Sequence, residues 1–253
     1  MNQVKFSEYL KDIVTKEGVL SSCYSTFHNY SLLNQLMASS QLQARGQNIA
    51  PIASYNRWKE LGRQVKKGSK AIALLMPVVI NKKDANGQKT DDKFQMFITR
   101  NNWFSLDDTE GADFKPEVKI AAWDKDKAMA ALNINEIEFQ KVNGNSQGYA
   151  REREIAINPL AILPHKTRFH ELAHVVLGHT AENALMSDSE HTPKSIKEVE
   201  AESVAYILCE LLGLDGVKES RGYIQHWLNS ETIPDKSAQK IFGAADKILK
   251  AGQ

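Results

Sequence analysis

The chain has 253 residues, 42% of them hydrophobic and 25% charged, and a formal net charge of +1. That is the make-up of a soluble globular protein with one large core or two modest ones. No apolar run approaches the roughly 18 residues of a membrane span. Met1 to Glu8 lacks the apolar segment of a secretory signal, and Cys23 and Cys209 lie far apart, neither in a C-x-x-C pair. A reduced, cytoplasmic setting without membrane attachment is the simplest expectation. The charge is uneven. Residues 51–100 hold 11 Lys/Arg against 4 Asp/Glu, a local +7, and residues 101–150 hold 5 against 9, a local −4. A basic block in a neutral chain points to a polyanion-binding face, against the plainer reading of a solvated surface.

In chain order, Phe6, Tyr9, Leu10, Ile13 and Val14 recur at helical spacing, and a second helical stretch runs from Ser25 to Ala44. Ser54 starts a short helix closed by Gly62, and the chain then turns at Lys67-Gly68. Residues 71–80 read as a strand, with Pro77 marking an edge or bulge. Asn86-Gly87 reads as a hairpin turn, 94–99 as the return strand and 102–106 as its extension. The acidic stretch 107–116 reads as a linker. Strands are expected within 134–142, at 149–151 after an Asn143-Gly144 turn, and at 154–158. This last strand precedes the most informative motif and is placed to pair with an extended peptide. The polar segment 179–197 reads as a mobile loop, and helices are expected near 197–208, 222–228 and 237–250.

The motif is His170-Glu171-Leu172-Ala173-His174, an H-E-x-x-H sequence in an apolar run. Residues four apart share a helix face, so His170 and His174 present two imidazoles to one metal ion. Glu171 stands beside them as the catalytic base for a metal-bound water, the arrangement of zinc metallopeptidases. The competing reading is a pair of core histidines hydrogen-bonded to backbone. A third ligand is sought on the next helix, where Glu198 and Glu202 are four apart. Glu198 is assigned to the metal and Glu202 to an imidazole N–H behind it; Glu200 is the fallback ligand. His179 lines the cleft or caps the helix, and the sequence leaves that open. The expected cofactor is one Zn²⁺. In the basic block, Tyr55, Arg57, Trp58, Lys59, Arg63, Lys66, Lys67 and Lys70 interleave aromatic rings and cations, as single-stranded DNA binding requires. Trp58, on a short helix, fits a core position as well as a stacking platform.

Several runs carry a resemblance: Asn29-Tyr30-Ser31-Leu32-Leu33-Asn34, Ala44-Arg45-Gly46, Ser54-Tyr55-Asn56-Arg57-Trp58-Lys59-Glu60-Leu61-Gly62 with Arg63 through Lys70, and Trp103-Phe104-Ser105-Leu106-Asp107-Asp108-Thr109. With the H-E-x-x-H motif through His179 and the segment Glu198 to Glu202, they resemble the ArdC-type antirestriction family over roughly residues 1–250. The resemblance implies an α+β fold. Its N-terminal α+β single-stranded-DNA-binding domain, at 1–112, would be followed at 117–253 by a mainly helical zincin-like metallopeptidase domain with a small antiparallel sheet. It adds Tyr30 and Asn34 as DNA contacts. It also implies a protein of mobile elements that protects incoming DNA, with single-stranded DNA and a protein or peptide as partners. Two alternatives stand beside this reading: a regulatory metallopeptidase that cleaves a repressor, and a DNA-protection factor with a non-catalytic zinc site.

Overall fold

Two helices come first, α1 (Phe6–Thr15) and α2 (Val19–Phe27), parted at Gly18, whose φ of +74° suits glycine. In the computed structural model, which describes residues 5–83, 88–115, 122–140, 146–180 and 194–253, the chain divides into two compact units. One is Ser25–Val118; the other joins Met1–Tyr24 to Lys119–Gln253. The N-terminal segment, expected with the basic block, thus falls with the unit that carries H-E-x-x-H. Among the described residues, no helix is long and apolar enough to cross a membrane.

In the 25–118 unit, the single helical stretch expected from Ser25 to Ala44 is interrupted. A new helix, α3 (Leu32–Ala44), starts at Ser31, whose side chain accepts from the Asn34 N–H. Next come β1 (Ile52–Ser54), α4 (Tyr55–Glu60), β2 (Arg63–Val65), β3 (Ile72–Lys83) and β4 (Lys89–Ser105). The two strands expected at 94–99 and 102–106 are one continuous β4. It pairs antiparallel with β3 along its length and with β1 at its end, giving the order β1-β4-β3. The expected turn at Asn86-Gly87 lies outside the described residues. The acidic 107–116 stretch is not simply a linker. A short 3-10 turn, Leu106–Asp108, leads into β5 (Thr109–Gly111), which pairs antiparallel with β2.

β3 is an edge strand, and α3 covers part of its edge. The Asn34 amide donates to the Leu75 carbonyl at 3.0 Å and accepts from the Leu75 N–H at 2.8 Å. Seven residues on, Gln41 does the same for Ala73, at 2.8 and 2.9 Å. Arg45 extends the row, donating to the carbonyls of Lys70 and Ala71. Two helical turns therefore match two residues of strand, and side-chain amides stand in for a neighbouring strand.

In the other unit follow α5 (Lys125–Leu132), β6 (Asn135–Ile137), β7 (Gly148–Arg151), β8 (Glu154–Ile157), α6 (Pro164–Val176), α7 (Lys194–Leu212), α8 (Val217–Ser230) and α9 (Asp235–Ala251). Among the described residues the order β6-β8-β7 makes β7 an edge strand; β8, the strand expected to pair with a peptide, is central, with both of its edges taken by β6 and β7. β7 pairs antiparallel with β8, but β6 pairs parallel, so the small sheet is mixed rather than antiparallel. α5, absent from the sequence reading, is capped by Asp124, which accepts from the Lys127 N–H, and closes at Asn133 in the left-handed region. The expected Asn143-Gly144 turn, and most of the expected loop after His179, lie outside the described residues. α7 is the central helix, packed against α6, α8 and α9. From Val204 to Cys209 every side chain is fully buried. α1 joins this core: the Tyr206 hydroxyl donates to the Ile13 carbonyl at 2.7 Å.

Candidate metal centre

α6 opens on Pro164, whose fixed φ and missing N–H suit a first turn. One face is buried through Phe169, Leu172, Ala173 and Val175. The Phe169 ring meets Trp123 edge-on, with centroids 4.9 Å apart. Arg168 ties the helix to β6 by a bidentate pair with Glu136, at 2.8 and 2.9 Å. With that face fixed, Lys166, His170 and His174, spaced four apart, form one stripe on the other side.

His170 Nε2 and His174 Nε2 stand 3.1 Å apart. Glu198 Oε2, from α7, lies 3.5 Å from the first and 3.8 Å from the second. One ligand atom from each of the three residues lies within 4.8 Å of the others. Nitrogens bound tetrahedrally to one ion at ~2.0–2.1 Å are about 3.3 Å apart, so this spacing fits a single divalent ion. Glu198 remains 39% exposed, which leaves the site open on one side. The electrostatics also suit a cation. Burial opposes charge on His170, yet Glu198 and Glu202 outweigh it and raise the imidazole to about 9. His170 and His174 hold the Glu198 carboxyl far below the usual carboxylate range.

Glu202 backs His170, Oε2 to Nδ1 at 3.0 Å. Its other oxygen takes the Lys166 ammonium at 2.7 Å. Burial would raise the Glu202 carboxyl, but His170 and Lys166 prevail and bring it to about 2. The Lys166 stem lies on Gly216, where an added Cβ would sit 2.9 Å from Lys166 Cδ. Glu200, the fallback ligand, lies about 200° around α7 from Glu198 and meets His179 instead, Oε2 to Nε2 at 2.8 Å. His179 Nδ1 in turn lies 2.9 Å from His174 Nδ1. Burial lowers the His179 pKa. The sequence reading missed Lys166 and gave His179 no partner. The four-residue spacing signalled the first; nothing in the sequence pairs His179 with Glu200.

Glu171 is 8% exposed. β7 passes beside it: a Cβ at Gly148 would lie 3.1 Å from Glu171 Oε1 and 2.7 Å from Thr167 Cγ2. Glycine at this point lets an edge strand approach the carboxylate.

The basic residues belong to the 25–118 unit and divide into two groups. Tyr55, Arg57 and Lys59 on α4, and Lys66, Lys67 and Lys70 around Gly68 (φ +90°), are exposed. Lys66 also donates to the Asp107 carbonyl at 2.9 Å, and Arg57 pairs with Glu60. The other expected DNA contacts are engaged within the unit. Trp58 is 1% exposed, donates to the Phe104 carbonyl at 2.9 Å and meets Phe114 edge-on, so its ring has no face for a base. Arg63 spends its guanidinium on Thr109 and Ala112. Asn34 has both amide atoms on Leu75, and the Tyr30 hydroxyl donates to the Ile52 carbonyl at 3.0 Å.

Residues 5–104 match the family model of the N-terminal domain of anti-restriction factor ArdC. The fold is similar to that of the antirestriction protein ArdC from the R388 plasmid. With its metal-free crystal structure the identity is 21%, the TM-score 0.53, and the match covers 98% of this chain and 94% of that one. With its Mn(II)-bound structure the values are 20%, 0.56, 98% and 96%. The uncharacterized protein pXO2-81 of Bacillus anthracis is 24% identical over 91% of this chain, which spans 46% of that protein's length, less than half. Residues 5–104 are thus an ArdC-type N-terminal domain, and the fold of the whole chain is similar to that of R388 ArdC.

Proposed function

We propose that this is an antirestriction-type protein with two working parts: a single-stranded-DNA-binding surface on the 25–118 unit and a zinc hydrolytic site on α6 and α7. The observation that carries the second part is the convergence of His170, His174 and Glu198 with a buried carboxylate, Glu171, next to the first ligand. Two imidazoles, one carboxylate and an open side are the donor set of catalytic rather than structural zinc. The R388 relative was crystallised with Mn(II), in keeping with a divalent ion in the family. When bound, the ion supplies Lewis acidity toward water and a carbonyl oxygen.

The chain's own residues do the rest. Glu171 takes the proton of the attacking water and delivers it to the leaving nitrogen. β7 packs beside its carboxylate and shields it from bulk water. Glu202, held by Lys166, keeps His170 oriented with Nε2 toward the site. β7, an edge strand running past Glu171, supports an extended peptide as substrate. The test is Glu171→Gln. It should keep the wild-type zinc content and lose peptide hydrolysis; unchanged cleavage by this variant overturns the assignment.

For DNA, the working set is Tyr55, Arg57, Lys59, Lys66, Lys67 and Lys70, all exposed along α4 and the turn that follows. Phosphate contacts release counterions, so binding should weaken with salt at a slope of about −0.7 per phosphate on single strands. Replacing Lys66, Lys67 and Lys70 with Ala should flatten that slope by about two units. An unaltered slope in the triple variant makes this turn a solvated surface.

A further inference from the structure

The C-terminus of α6 contains a device that the H-E-x-x-H motif does not describe. After Leu177 the chain enters the left-handed region at Gly178, φ +78°. The Gly178 N–H donates to the Val175 carbonyl at 3.1 Å, and the His179 N–H reaches back to the His174 carbonyl at 2.8 Å. These are the two bonds of a Schellman turn. The turn folds residue 179 back over residue 174. The side chains then meet, Nδ1 to Nδ1 at 2.9 Å. α7 supplies the third member, Glu200, whose Oε2 lies 2.8 Å from His179 Nε2. The His179 and Glu200 side chains are each 3% exposed, so the pair is shielded from bulk water.

Two nitrogens facing each other share one proton, and either ring can own it in the absence of other groups. Glu200 decides. A carboxylate only accepts, so His179 Nε2 carries a proton. A neutral His179 then has a lone pair at Nδ1, and the proton between the rings resides on His174 Nδ1. His174 Nε2 is left as a lone pair, directed toward His170 Nε2 and Glu198. The opposite polarity would set a lone pair of His179 against the carboxylate.

We infer that His179 and Glu200 are positioning residues, a buried relay that locks His174 in the tautomer whose Nε2 is ready to bind metal. The inference rests on the metal reading above. It gives His174 a backing like the one Glu202 gives His170, built from two residues because Glu200 lies on the far side of α7 from Glu198. Partners of this kind, hydrogen-bonded to a ligand imidazole, each contribute about 10- to 100-fold in metal affinity.

The experiment uses the full chain in two measurements. Two-bond ¹H–¹⁵N NMR of the metal-free wild type, labelled at histidine, reads the tautomers directly. His174 should be protonated at Nδ1 with Nε2 bare, and His179 at Nε2. Zinc affinity is then measured by chelator competition. His179→Ala and Glu200→Ala should each weaken it about 10- to 100-fold. The double variant should be no weaker than His179→Ala alone, since the two act in series. Glu200→Gln, whose amide oxygen still accepts from His179, should recover most of the loss. A bare Nδ1 on His174 overturns the inference, as does wild-type affinity in a folded His179→Ala. If the wild type itself takes up no zinc, the metal reading fails while the NMR result still decides the relay.

Discussion

Replacing Asn34 with Ala separates two roles for that residue, edge cap and DNA contact. In the structure Asn34 gives one hydrogen bond to the Leu75 carbonyl and receives one from the Leu75 N–H, both part-buried. A hydrogen bond of this kind contributes about 1 kcal/mol net, so the variant should lose about 2 kcal/mol. Asn34→Asp is the sharper probe. Its carboxylate still accepts from the Leu75 N–H but opposes the Leu75 carbonyl, so near neutral pH it should cost at least as much as Ala. As pH falls and the carboxyl gains a proton, the missing donor returns and part of the loss should be recovered. The assay is urea unfolding of the full chain, read from tryptophan emission, because Trp58 and Trp103 lie in this unit. Affinity of the folded variant for single-stranded DNA should remain at the wild-type value. If Asn34→Ala keeps the wild-type urea midpoint and instead loses DNA affinity, the edge-cap reasoning is refuted.

Two further outcomes follow from the proposed zinc hydrolytic site and its supports. Gly148→Ala would place a methyl 2.7 Å from Thr167 Cγ2 and 3.1 Å from Glu171 Oε1; elemental analysis should find zinc retained, and a cleavage assay should find hydrolysis reduced at least about tenfold by the displaced base. Glu136→Gln tests the tie between β6 and α6. Arg168 holds the Glu136 carboxyl below its ordinary value of 4.5, so the stabilisation is present above that pH and is lost as pH falls through the lowered pKa. Thermal unfolding should show the variant less stable by about 1–2 kcal/mol at neutral pH, with the deficit closing under acid.

What the sequence made legible follows from its periodicities. His170 and His174, and Glu198 and Glu202, are each four apart, and one turn of helix brings each pair to one face. The candidate metal cluster needs only that these two faces meet. Where roles depend on tertiary partners, sequence reasoning stops. Trp58 and Arg63 look like DNA contacts because an aromatic ring and a cation interleave with lysines, but Phe104, Thr109 and Ala112 engage them from elsewhere in the unit. Thr109-Glu110-Gly111 looks like linker because its residue types suit loops; its pairing with β2 is made by backbone groups that residue types do not announce. His179 was equivocal because a Schellman turn redirects it. Its meeting with Glu200 also required α7 to lie where it does.

The burial of α7 has a bearing on folding order. Glu200 and Glu202 sit on the helix at the centre of the unit, at 2% and 6% exposure. Uncompensated carboxylates resist removal from water. Ser220 of α8 and Ser237 of α9 add neutral hydrogen bonds, but the basic and imidazole partners, Lys166, His170 and His179, come from α6 and the turn after it, so α7 cannot finish entering the core until α6 has docked. The pair should consolidate as one nucleus, with α8 and α9 closing over it afterwards. Apolar truncations at Leu172 and Val204 should then slow folding, whereas truncation at Ile248 should mainly speed unfolding. If that order holds, electrostatic pairing at the site also acts as a checkpoint during assembly.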